Sequence, residues 1–228
     1  MKHILFLGDS ITDCDHCFTP DNLGDGYVKI ISDSLSRDSF SVVNGGTDGF
    51  TFPSIYRKWR QSYSSHHYDT VSILGGINDT GALMDSGMSE SQVQAQILQA
   101  GIALRKLLEG LAAQNTARIL LAEPFLFPYP DYLSTWMHRL HQIQSMIRQT
   151  ARAFSMNYIP ASDQVKGTPE VRIISLQPAL DQIARSQGYP AVTTDGIHLT
   201  ETGHQIVCEC MLPHIFIIDT LNGNFLRI

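Results

Sequence analysis

A serine near the amino end and an Asp–His pair near the carboxyl end together supply the residue types that acyl transfer needs. Ser10 closes a Gly-Asp-Ser triplet that directly follows the apolar run Ile4 to Leu7. Asp195 and His198 lie far downstream and are three positions apart. A hydroxyl that is activated by an imidazole, which a carboxylate orients in turn, is the arrangement of a serine hydrolase. These residues therefore predict a serine nucleophile, a histidine base and an aspartate that holds the base.

The spacing of the Asp–His pair favours direct contact between the two side chains. A tight turn brings side chains three positions apart onto one side of the chain. Asp195 then holds one ring nitrogen of His198, and the other nitrogen is free to take the Ser10 proton. An Asp-x-x-His pair before a helix is also compatible with a helix cap beside a surface histidine, so its catalytic interpretation depends on Ser10.

Two further polar segments follow apolar runs, as the Ser10 triplet does. They are residues 44–49 (Asn-Gly-Gly-Thr-Asp-Gly) and residues 75–79 (Gly-Gly-Ile-Asn-Asp). Each alone is compatible with an ordinary turn or helix cap. In open parallel sheets the ligand crevice lies beyond the carboxyl ends of the strands, so the three segments meet at one edge. A hydroxyl, a glycine N–H and an Asn amide together form the set that an acyl-transfer site requires.

The elements that must position these residues alternate between short apolar runs and helical patterns. This alternation predicts an α/β fold, with a parallel sheet covered by helices on both faces. The predicted strands are His3 to Leu7, Ser41 to Asn44, Thr70 to Leu74, Arg118 to Ala122 and Asn157 to Pro160. The predicted helices are Ser89 to Ala113 with Ser89 as N-cap, Ser134 to Phe154, and His204 to Ile218 with Thr200 or Thr202 as N-cap and a kink or end at Pro213. Residues 161–189 are the least regular stretch and are predicted to form a surface excursion.

Length and charge set limits on the class of protein. The 228 residues fit one domain over residues 1–228, and the formal net charge is −6, from 16 basic and 22 acidic residues. The Lys and Arg residues are scattered, so the chain lacks the basic surface that binding to nucleic acid requires. A small-molecule ester is therefore a better candidate ligand than a nucleic acid.

Apolar runs and cysteine usage indicate the cellular compartment of the protein. The amino-terminal apolar run stops at Leu7, and the run Ile215 to Ile218 is equally short, so neither predicts a signal peptide or a membrane span. The four cysteines fall in two close pairs, which is more typical of reduced intracellular thiols than of a disulfide-rich secreted domain. We expect a cytoplasmic protein that does not bind membranes.

These motifs, taken in order, resemble the four sequence blocks of the SGNH hydrolases, the GDSL esterase and lipase family. Ser10 matches the nucleophile of the first block, and Gly49 matches the glycine of the second. Asn78 matches the third block, while Asp195 and His198 match the fourth. The four matches span most of the chain.

The resemblance implies a fold, a mechanism and a site. The implied fold is a three-layer α/β/α sandwich of the flavodoxin-like type with a five-stranded parallel sheet. The implied oxyanion hole consists of the Ser10 N–H, the Gly49 N–H and the Asn78 side-chain amide, with the Gly46 N–H as an alternative donor. Leu199 departs from the family pattern, since a proline often follows the histidine.

The expected activity is hydrolysis of a small carboxylic ester through an acyl-enzyme, with no cofactor. The segment Phe125 to Tyr132 resembles carbohydrate-esterase-like members of the family, which suggests an O-acetyl group on a carbohydrate. A simple aliphatic ester and a thioester remain open as substrates, and the oligomeric state is not predicted.

Other interpretations of the motifs remain open at this point. Asp13 and Asp15 have the spacing of a Mg²⁺-dependent phosphatase, although Asp13 is displaced from the end of the predicted strand. Cys14 and Cys17 have the spacing of half a zinc site, but the gap between the other two cysteines, Cys208 and Cys210, is wrong, and packing in the core explains them better. A non-catalytic binding module for acylated ligands on the same fold is the third alternative.

Overall fold

A five-stranded, all-parallel sheet forms the centre of the protein. The computed structural model describes residues 1–84, 87–158 and 167–215. The strands run in the order β2-β1-β3-β4-β5 across the sheet, and every neighbouring pair is parallel. They are β1 (Lys2–Gly8), β2 (Phe40–Gly46), β3 (Thr70–Leu74), β4 (Arg118–Ala122) and β5 (Glu170–Ile174).

Helices connect the strands and cover the sheet. Those in the described ranges are α1 (Ser10–Asp13), α2 (Tyr27–Asp33), α3 (Phe52–Lys58), α4 (Ile77–Ala82), α5 (Glu90–Ala113), α6 (Met137–Asn157), α7 (Gln177–Gln187) and α8 (Glu201–Ile215). Short 3₁₀ turns lie at His16–Phe18, Asp131–Trp136 and Tyr189–Ala191, and a π-helical turn at Trp59–Tyr63 continues α3. None of the helices in these ranges combines the length and apolar character needed to cross a bilayer.

The pleat of the strands divides the core into two apolar clusters. In β1, Ile4 and Phe6 belong to one cluster, and Leu5 and Leu7 belong to the other. Successive side chains of a strand point to opposite faces, so β1 packs against helices on both sides. The first cluster contains residues of α2, α7 and α8, and the second contains residues of α3, α5 and most of α6. The predicted α/β/α fold is therefore confirmed.

The first four predicted strands are confirmed, and the fifth is wrong. Asn157 is the last residue of α6 and Tyr158 follows it, while residues 159 and 160 lie outside the described ranges. The fifth strand is instead Glu170–Ile174, which pairs with β4 at the edge of the sheet. Most of its side chains are exposed or half-buried, so it lacks the continuous apolar run that identifies a strand buried on both faces.

The stretch predicted to be a surface excursion also contains regular structure. Residues 167–189 include β5 and the eleven-residue helix α7, whereas residues 161–166 lie outside the described ranges. Leu180 and Ala184 of α7 are buried four positions apart against the first apolar cluster. The prediction of an irregular excursion is therefore wrong, because a single apolar stripe of α7 is enough to dock it on the sheet.

The predicted helices are confirmed with shifts at their ends. Ser89 caps α5 in a capping box with Gln92, as its position before the helix predicts. A 3₁₀ turn precedes α6, so α6 begins at Met137 rather than at Ser134. The Thr200 hydroxyl accepts the Gly203 N–H at 3.2 Å at the start of α8. Pro213 does not end α8, because the helix begins at Glu201 and continues to Ile215. Residues 216–218 of the predicted helix lie outside the described ranges.

Two glycines of α5 provide a matched test of how tightly this helix packs. A Cβ added to Gly110 would overlap the ring of the buried Trp59, whereas a Cβ at Gly101 would meet the flexible Met146 side chain at 3.3 Å. We expect Gly110→Ala to lower the free energy of unfolding by about 1–3 kcal/mol, as overpacking does. Gly101→Ala should be neutral or stabilising by up to about 1 kcal/mol, because alanine favours helix. Urea unfolding of both variants measures the difference, and a Gly110→Ala protein as stable as Gly101→Ala would contradict this packing.

Candidate active site

Ser10 stands at the carboxyl end of the central strand β1. Asp9 is the N-cap of α1, and its Oδ1 atom accepts the Ile11 N–H at 3.1 Å. Asp9 rather than Ser10 therefore caps the helix, which leaves the Ser10 hydroxyl free for other contacts. Because Ser10 is the first residue of α1, its backbone N–H also has no acceptor within that helix.

The hydroxyl of Ser10 meets His198 across the edge of the sheet. Ser10 Oγ and His198 Nε2 are 2.9 Å apart, although 188 positions separate the two residues in the chain. His198 Nδ1 lies 2.7 Å from Asp195 Oδ2. An ionised carboxylate only accepts hydrogen bonds, so Nδ1 carries the proton and Nε2 offers its lone pair to Ser10. The three side chains thus form a connected Ser-His-Asp arrangement.

Hydrogen bonds keep Asp195 ionised in this arrangement. Its Oδ1 atom accepts the N–H groups of Ile197 at 2.9 Å and His198 at 2.8 Å. Burial acts to raise the pKa of Asp195, but the hydrogen bonds from His198 and Ile197 outweigh it and hold the pKa below its usual value. Asp195 is therefore an ionised carboxylate that can accept the hydrogen bond from His198 Nδ1.

The loop that carries Asp195 and His198 has a fixed course. Gly196 has φ = 93°, and a Cβ there would overlap the carbonyl oxygen of Tyr129. Its N–H donates to Thr193 Oγ1 at 2.8 Å, and its carbonyl accepts the Phe127 N–H at 3.0 Å. The Thr193 hydroxyl donates in turn to the His198 carbonyl at 2.7 Å. Only glycine satisfies both the backbone conformation and the close approach at position 196.

Gly49 lies in a turn directly after β2. The Phe50 N–H donates to the Thr47 carbonyl at 3.3 Å, and Gly49, the third residue of this turn, has φ = 70°. A positive φ at the third position of a β-turn favours glycine. Within the described part of the chain, no acceptor is found for the Gly49 N–H. The Gly46 N–H, in contrast, donates to Asn44 Oδ1 at 2.9 Å and is not free for a substrate.

Asn78 is held against the same turn from the next strand. It is the second residue of α4, and its Nδ2 atom donates to the Phe50 carbonyl at 3.1 Å. An amide nitrogen carries two hydrogens, and this bond uses one of them. The following residue, Asp79, accepts the Phe52 N–H at 3.0 Å. Asn78 and Asp79 thus fix the backbone on the carboxyl side of Gly49.

Asn44 connects three segments of the chain beneath the cleft, a role that its sequence motif did not predict. Its side chain is buried, and Nδ2 donates to the carbonyls of Thr12 at 2.7 Å and Leu23 at 2.8 Å. It therefore joins the end of β2 to α1 and to the loop that follows α1. An Asn at the buried carboxyl end of a strand, where a polar side chain needs partners, is the signal that points to it.

Two buried carboxylates lie beneath the cleft. Asp9 is only 1% exposed, and burial raises its pKa to about 7, with the nearby Asp79 acting in the same direction. Burial likewise raises the pKa of Asp79 to about 6. The Oδ2 atom of Asp9 has no hydrogen-bond partner among the described residues. The protonated form of Asp9 is therefore populated near neutral pH.

The residue patterns that suggested a metal ion do not come together in the structure. Asp13 accepts hydrogen bonds from His16, at 2.6 Å, and from the Asp48 N–H, at 2.9 Å. Cys17 is exposed, while Cys208 is buried in the core. In residues 1–84, 87–158 and 167–215, no three His, Cys, Asp or Glu side chains are grouped closely enough to hold a metal ion.

The Ser-His-Asp arrangement opens into a cleft of about 320 Å³ with an acidic wall. The cleft is lined by Ser10, Ile11, Asp13, Cys14, Asp15, Asp48, His198, Leu199 and His204. Three of these residues are aspartates and only two are aliphatic, so the cleft suits a small polar ligand better than a long acyl chain.

Comparison with known proteins gives one family over most of the chain. Residues 6–206 match the model of the GDSL-like Lipase/Acylhydrolase family. This span begins in β1, ends in α8 and contains all five residues predicted for the site. The acetylxylan esterase of Geobacillus stearothermophilus is 26% identical over 226 residues, which cover 94% of each protein.

Solved structures share the same fold. A structure of Axe2, the acetylxylan esterase from Geobacillus stearothermophilus, has a TM-score of 0.73 at 22% identity and covers 95% of this chain and 94% of its own. LAE5, an α/β hydrolase from the metagenome of Lake Arreo, also has a TM-score of 0.73, at 19% identity. It covers 93% of this chain and 94% of its own. Two Axe2 structures are catalytic mutants: an Asp is replaced by Ala in one and a His in the other. The two positions are three residues apart in that enzyme.

The buried carboxylate of Asp9 predicts a stability that depends on pH. Its pKa rises from an ordinary 3.8 to about 7 on folding, so the folded state holds this proton more tightly. The resulting stabilisation is complete below about pH 4 and is lost as the pH rises through 7. Asp9→Asn cannot ionise and keeps an oxygen for the Ile11 N–H. We expect its free energy of unfolding, relative to the parent, to be higher at pH 8 than at pH 4 by roughly 1–4 kcal/mol.

Urea unfolding at the two pH values measures this difference. The exposed Asp38 supplies a matched control, because Asp38→Asn should change stability by the same small amount at both pH values. The difference in the free energy of unfolding between the parent and Asp9→Asn is the quantity to compare between pH 4 and pH 8. An equal difference at the two pH values would show that folding does not raise the pKa of Asp9.

Proposed function

Because the chain belongs to the GDSL-like lipase/acylhydrolase family, we propose that it hydrolyses small carboxylic esters with Ser10 as nucleophile, His198 as general base and Asp195 as the group that orients His198. Membership of the family makes the chain a carboxylic ester hydrolase. The observation that carries the residue assignment is the 2.9 Å contact between Ser10 Oγ and His198 Nε2, with Asp195 at 2.7 Å on the opposite ring nitrogen.

The reaction proceeds in two acyl-transfer steps. His198 Nε2 takes the Ser10 proton as Oγ attacks the ester carbonyl, and the imidazolium is stabilised by the charged Asp195. His198 then gives its proton to the leaving alcohol, and the acyl group stays on Ser10. A water molecule, activated by the same imidazole, releases the acid and restores the serine.

Three donors face the developing oxyanion in this proposal. Among the residues that the structure describes, the Ser10 N–H at the start of α1, the Gly49 N–H and the second amide hydrogen of Asn78 have no other acceptor. Donors that are fixed before the reaction stabilise the transition state without a cost of reorganisation. Loss of one such donor reduces turnover by about 10²- to 10³-fold in serine hydrolases.

The related acetylxylan esterase supports the assignment of the acid and the base. Its catalytic mutants replace an Asp and a His at the same three-residue spacing as Asp195 and His198. The lengths of the two proteins agree closely, since the match covers 94% of each. The spacing therefore supports a shared arrangement of the carboxylate and the imidazole.

The lining of the cleft favours an acetyl ester of a carbohydrate as substrate. Carboxylates accept hydrogen bonds from sugar hydroxyls, and Asp13, Asp15 and Asp48 line the cleft beside Ser10. The same three charges repel anionic substrates, which disfavours thioesters of phosphate-bearing carriers such as coenzyme A. The relative with 26% identity is an acetylxylan esterase, which supports this substrate class.

Covalent labelling tests the nucleophile and the base together. A fluorophosphonate should label the parent at Ser10, and Ser10→Ala should abolish both labelling and the hydrolysis of p-nitrophenyl acetate. His198→Gln should reduce hydrolysis by at least about 10³-fold, because triad members act as a unit. The exposed His141 on α6 is the matched control, and His141→Gln should keep parental activity.

The alternatives give different results in the same assay. A binding module would neither be labelled nor hydrolyse the ester. A metal-dependent phosphatase would lose activity with EDTA and keep it in Ser10→Ala. Parental activity in His198→Gln would contradict the assigned base.

An acyl-length series and one charge variant test the substrate class. Acetyl esters should be hydrolysed faster than octanoyl esters by at least about tenfold, because the cleft is small and has few apolar groups. Asp15→Asn should raise KM for acetylated xylo-oligosaccharides by roughly threefold to tenfold, since hydrogen bonds to a charged group are stronger. Asn tolerates the positive φ of 57° at this position.

The control for the charge change is again Asp38→Asn, which lies on an exposed part of the chain. It should leave KM unchanged for sugar and p-nitrophenyl substrates alike. Equal rates on acetyl and octanoyl esters, or an unchanged KM in Asp15→Asn, would count against the acetylated carbohydrate while leaving the esterase mechanism intact.

A further inference from the structure

A second nucleophile lies close to the cleft, on the 3₁₀ turn His16–Phe18. The exposed thiol of Cys17 is 3.4 Å from His16 Nε2. On the other side of the ring, His16 Nδ1 is 2.6 Å from Asp13 Oδ1. Nucleophile, imidazole and carboxylate thus stand in line. None of the three takes part in the acyl-transfer steps proposed above, although Asp13 also lines the ester cleft.

The hydrogen bonds to His16 determine which of its ring nitrogens is basic. A carboxylate accepts hydrogen bonds and does not donate, so Nδ1 must carry a proton that it donates to Asp13. Nε2 then presents a lone pair to the Cys17 thiol. Asp13 is itself held in place by the Asp48 N–H at 2.9 Å. His16 is therefore oriented to take a proton from Cys17, as His198 is oriented toward Ser10.

Cys14 provides a contrasting pair in the same region. Its Sγ atom lies 3.4 Å from His204 Nε2, but the Tyr27 N–H donates to His204 Nδ1 at 3.3 Å. His204 Nε2 must therefore carry the proton, and it cannot act as a base toward the sulfur. The Cys14 thiol donates to the Ile11 carbonyl at 3.3 Å instead.

The pKa values agree with this contrast. Burial raises the pKa of the Cys14 thiol to about 12, and the nearby aspartates add to the effect. Burial lowers the pKa of His204 to about 4. The thiols of Cys208 and Cys210 also have raised pKa values because of burial. The three cysteines other than Cys17 are therefore held as inert thiols.

We propose that Cys17, His16 and Asp13 form a second nucleophilic site that undergoes thiol exchange with small disulfides. His16 Nε2 takes the Cys17 proton, and the sulfur attacks one sulfur atom of the incoming disulfide. The bond between Cys17 and that sulfur forms as the disulfide bond breaks. The leaving sulfur takes the electron pair of the broken bond and the proton from His16, so a mixed disulfide and a free thiol result.

The charges around Cys17 select the kind of disulfide. Residues 13–25 contain four aspartates and no Lys or Arg. Lys29, which approaches this segment, is paired with Asp21 at 3.3 Å and with Asp33 at 2.6 Å. Tyr63 is a further titratable group near Cys17. The local field is negative, so cationic and neutral disulfides react at this site in preference to anionic ones.

The rate of disulfide exchange in the folded, full-length protein tests the proposal. Neutral 4,4′-dithiodipyridine should modify Cys17 in one fast phase, identified by peptide mass spectrometry, and Cys17→Ser should lose that phase. His16→Gln leaves the thiol exposed but removes the base, so the rate should fall at least about tenfold. Asp13→Asn is a second variant, and it should slow the reaction because an amide does not fix the required tautomer.

Two controls separate an activated thiol from a merely accessible one. His204→Gln removes the imidazole beside Cys14 and should leave the Cys17 rate within about twofold of the parent. The rate preference for cationic cystamine over an anionic alkyl disulfide such as dithiodipropionate should exceed the preference of a free thiol in solution by about tenfold at low ionic strength, because the free thiol corrects for the different leaving groups. A parental rate in both His16→Gln and Asp13→Asn would overturn the proposal, as would earlier modification of Cys14, Cys208 or Cys210.

Discussion

The hydrogen bond between Ser10 and His198 is the contact on which the site depends, because its two ends come from opposite ends of the chain. Each end is fixed separately. Asp9 and Asn44 hold the start of α1, while Thr193 and Gly196 hold the loop of the histidine. A shift of about 1 Å at either end would break a contact of this kind, so in the proposed mechanism these supporting hydrogen bonds influence catalysis without touching the substrate.

The buried carboxylates Asp9 and Asp79 have two opposing effects at this edge of the sheet. Their hydrogen bonds fix the local backbone, but their burial is unfavourable for stability. Asp9 directly precedes Ser10, which lines the cleft, and Asp79 directly follows Asn78. Each of the two carboxylates accepts a backbone N–H. Burial opposes their ionisation and raises both pKa values. The protein thus retains two unfavourable groups beside the proposed catalytic residues, as is common where local geometry matters more than maximal stability.

The sequence predicts the parts of this structure that depend on strong local patterns. Strands buried on both faces, the Ser89 cap, and the contacts of His198 with Ser10 and Asp195 were all predictable from apolar runs and motif spacing. The edge strand Glu170–Ile174 was missed because one exposed edge removes the need for an apolar run. The supporting role of Asn44 and the opposite tautomers of His16 and His204 depend on contacts between segments distant in the chain, which spacing alone does not reveal.

The strand order also explains why a crevice exists above Ser10. From β1 the chain passes along one face of the sheet to β2, and from β2 it passes along the other face to β3, on the far side of β1. The two connections diverge at this topological switch point, so the fold leaves an opening there without removing any core side chain. Evolution can therefore vary the segments that border the opening, and with them the choice of ester, while the proposed nucleophile stays at the end of the same central strand.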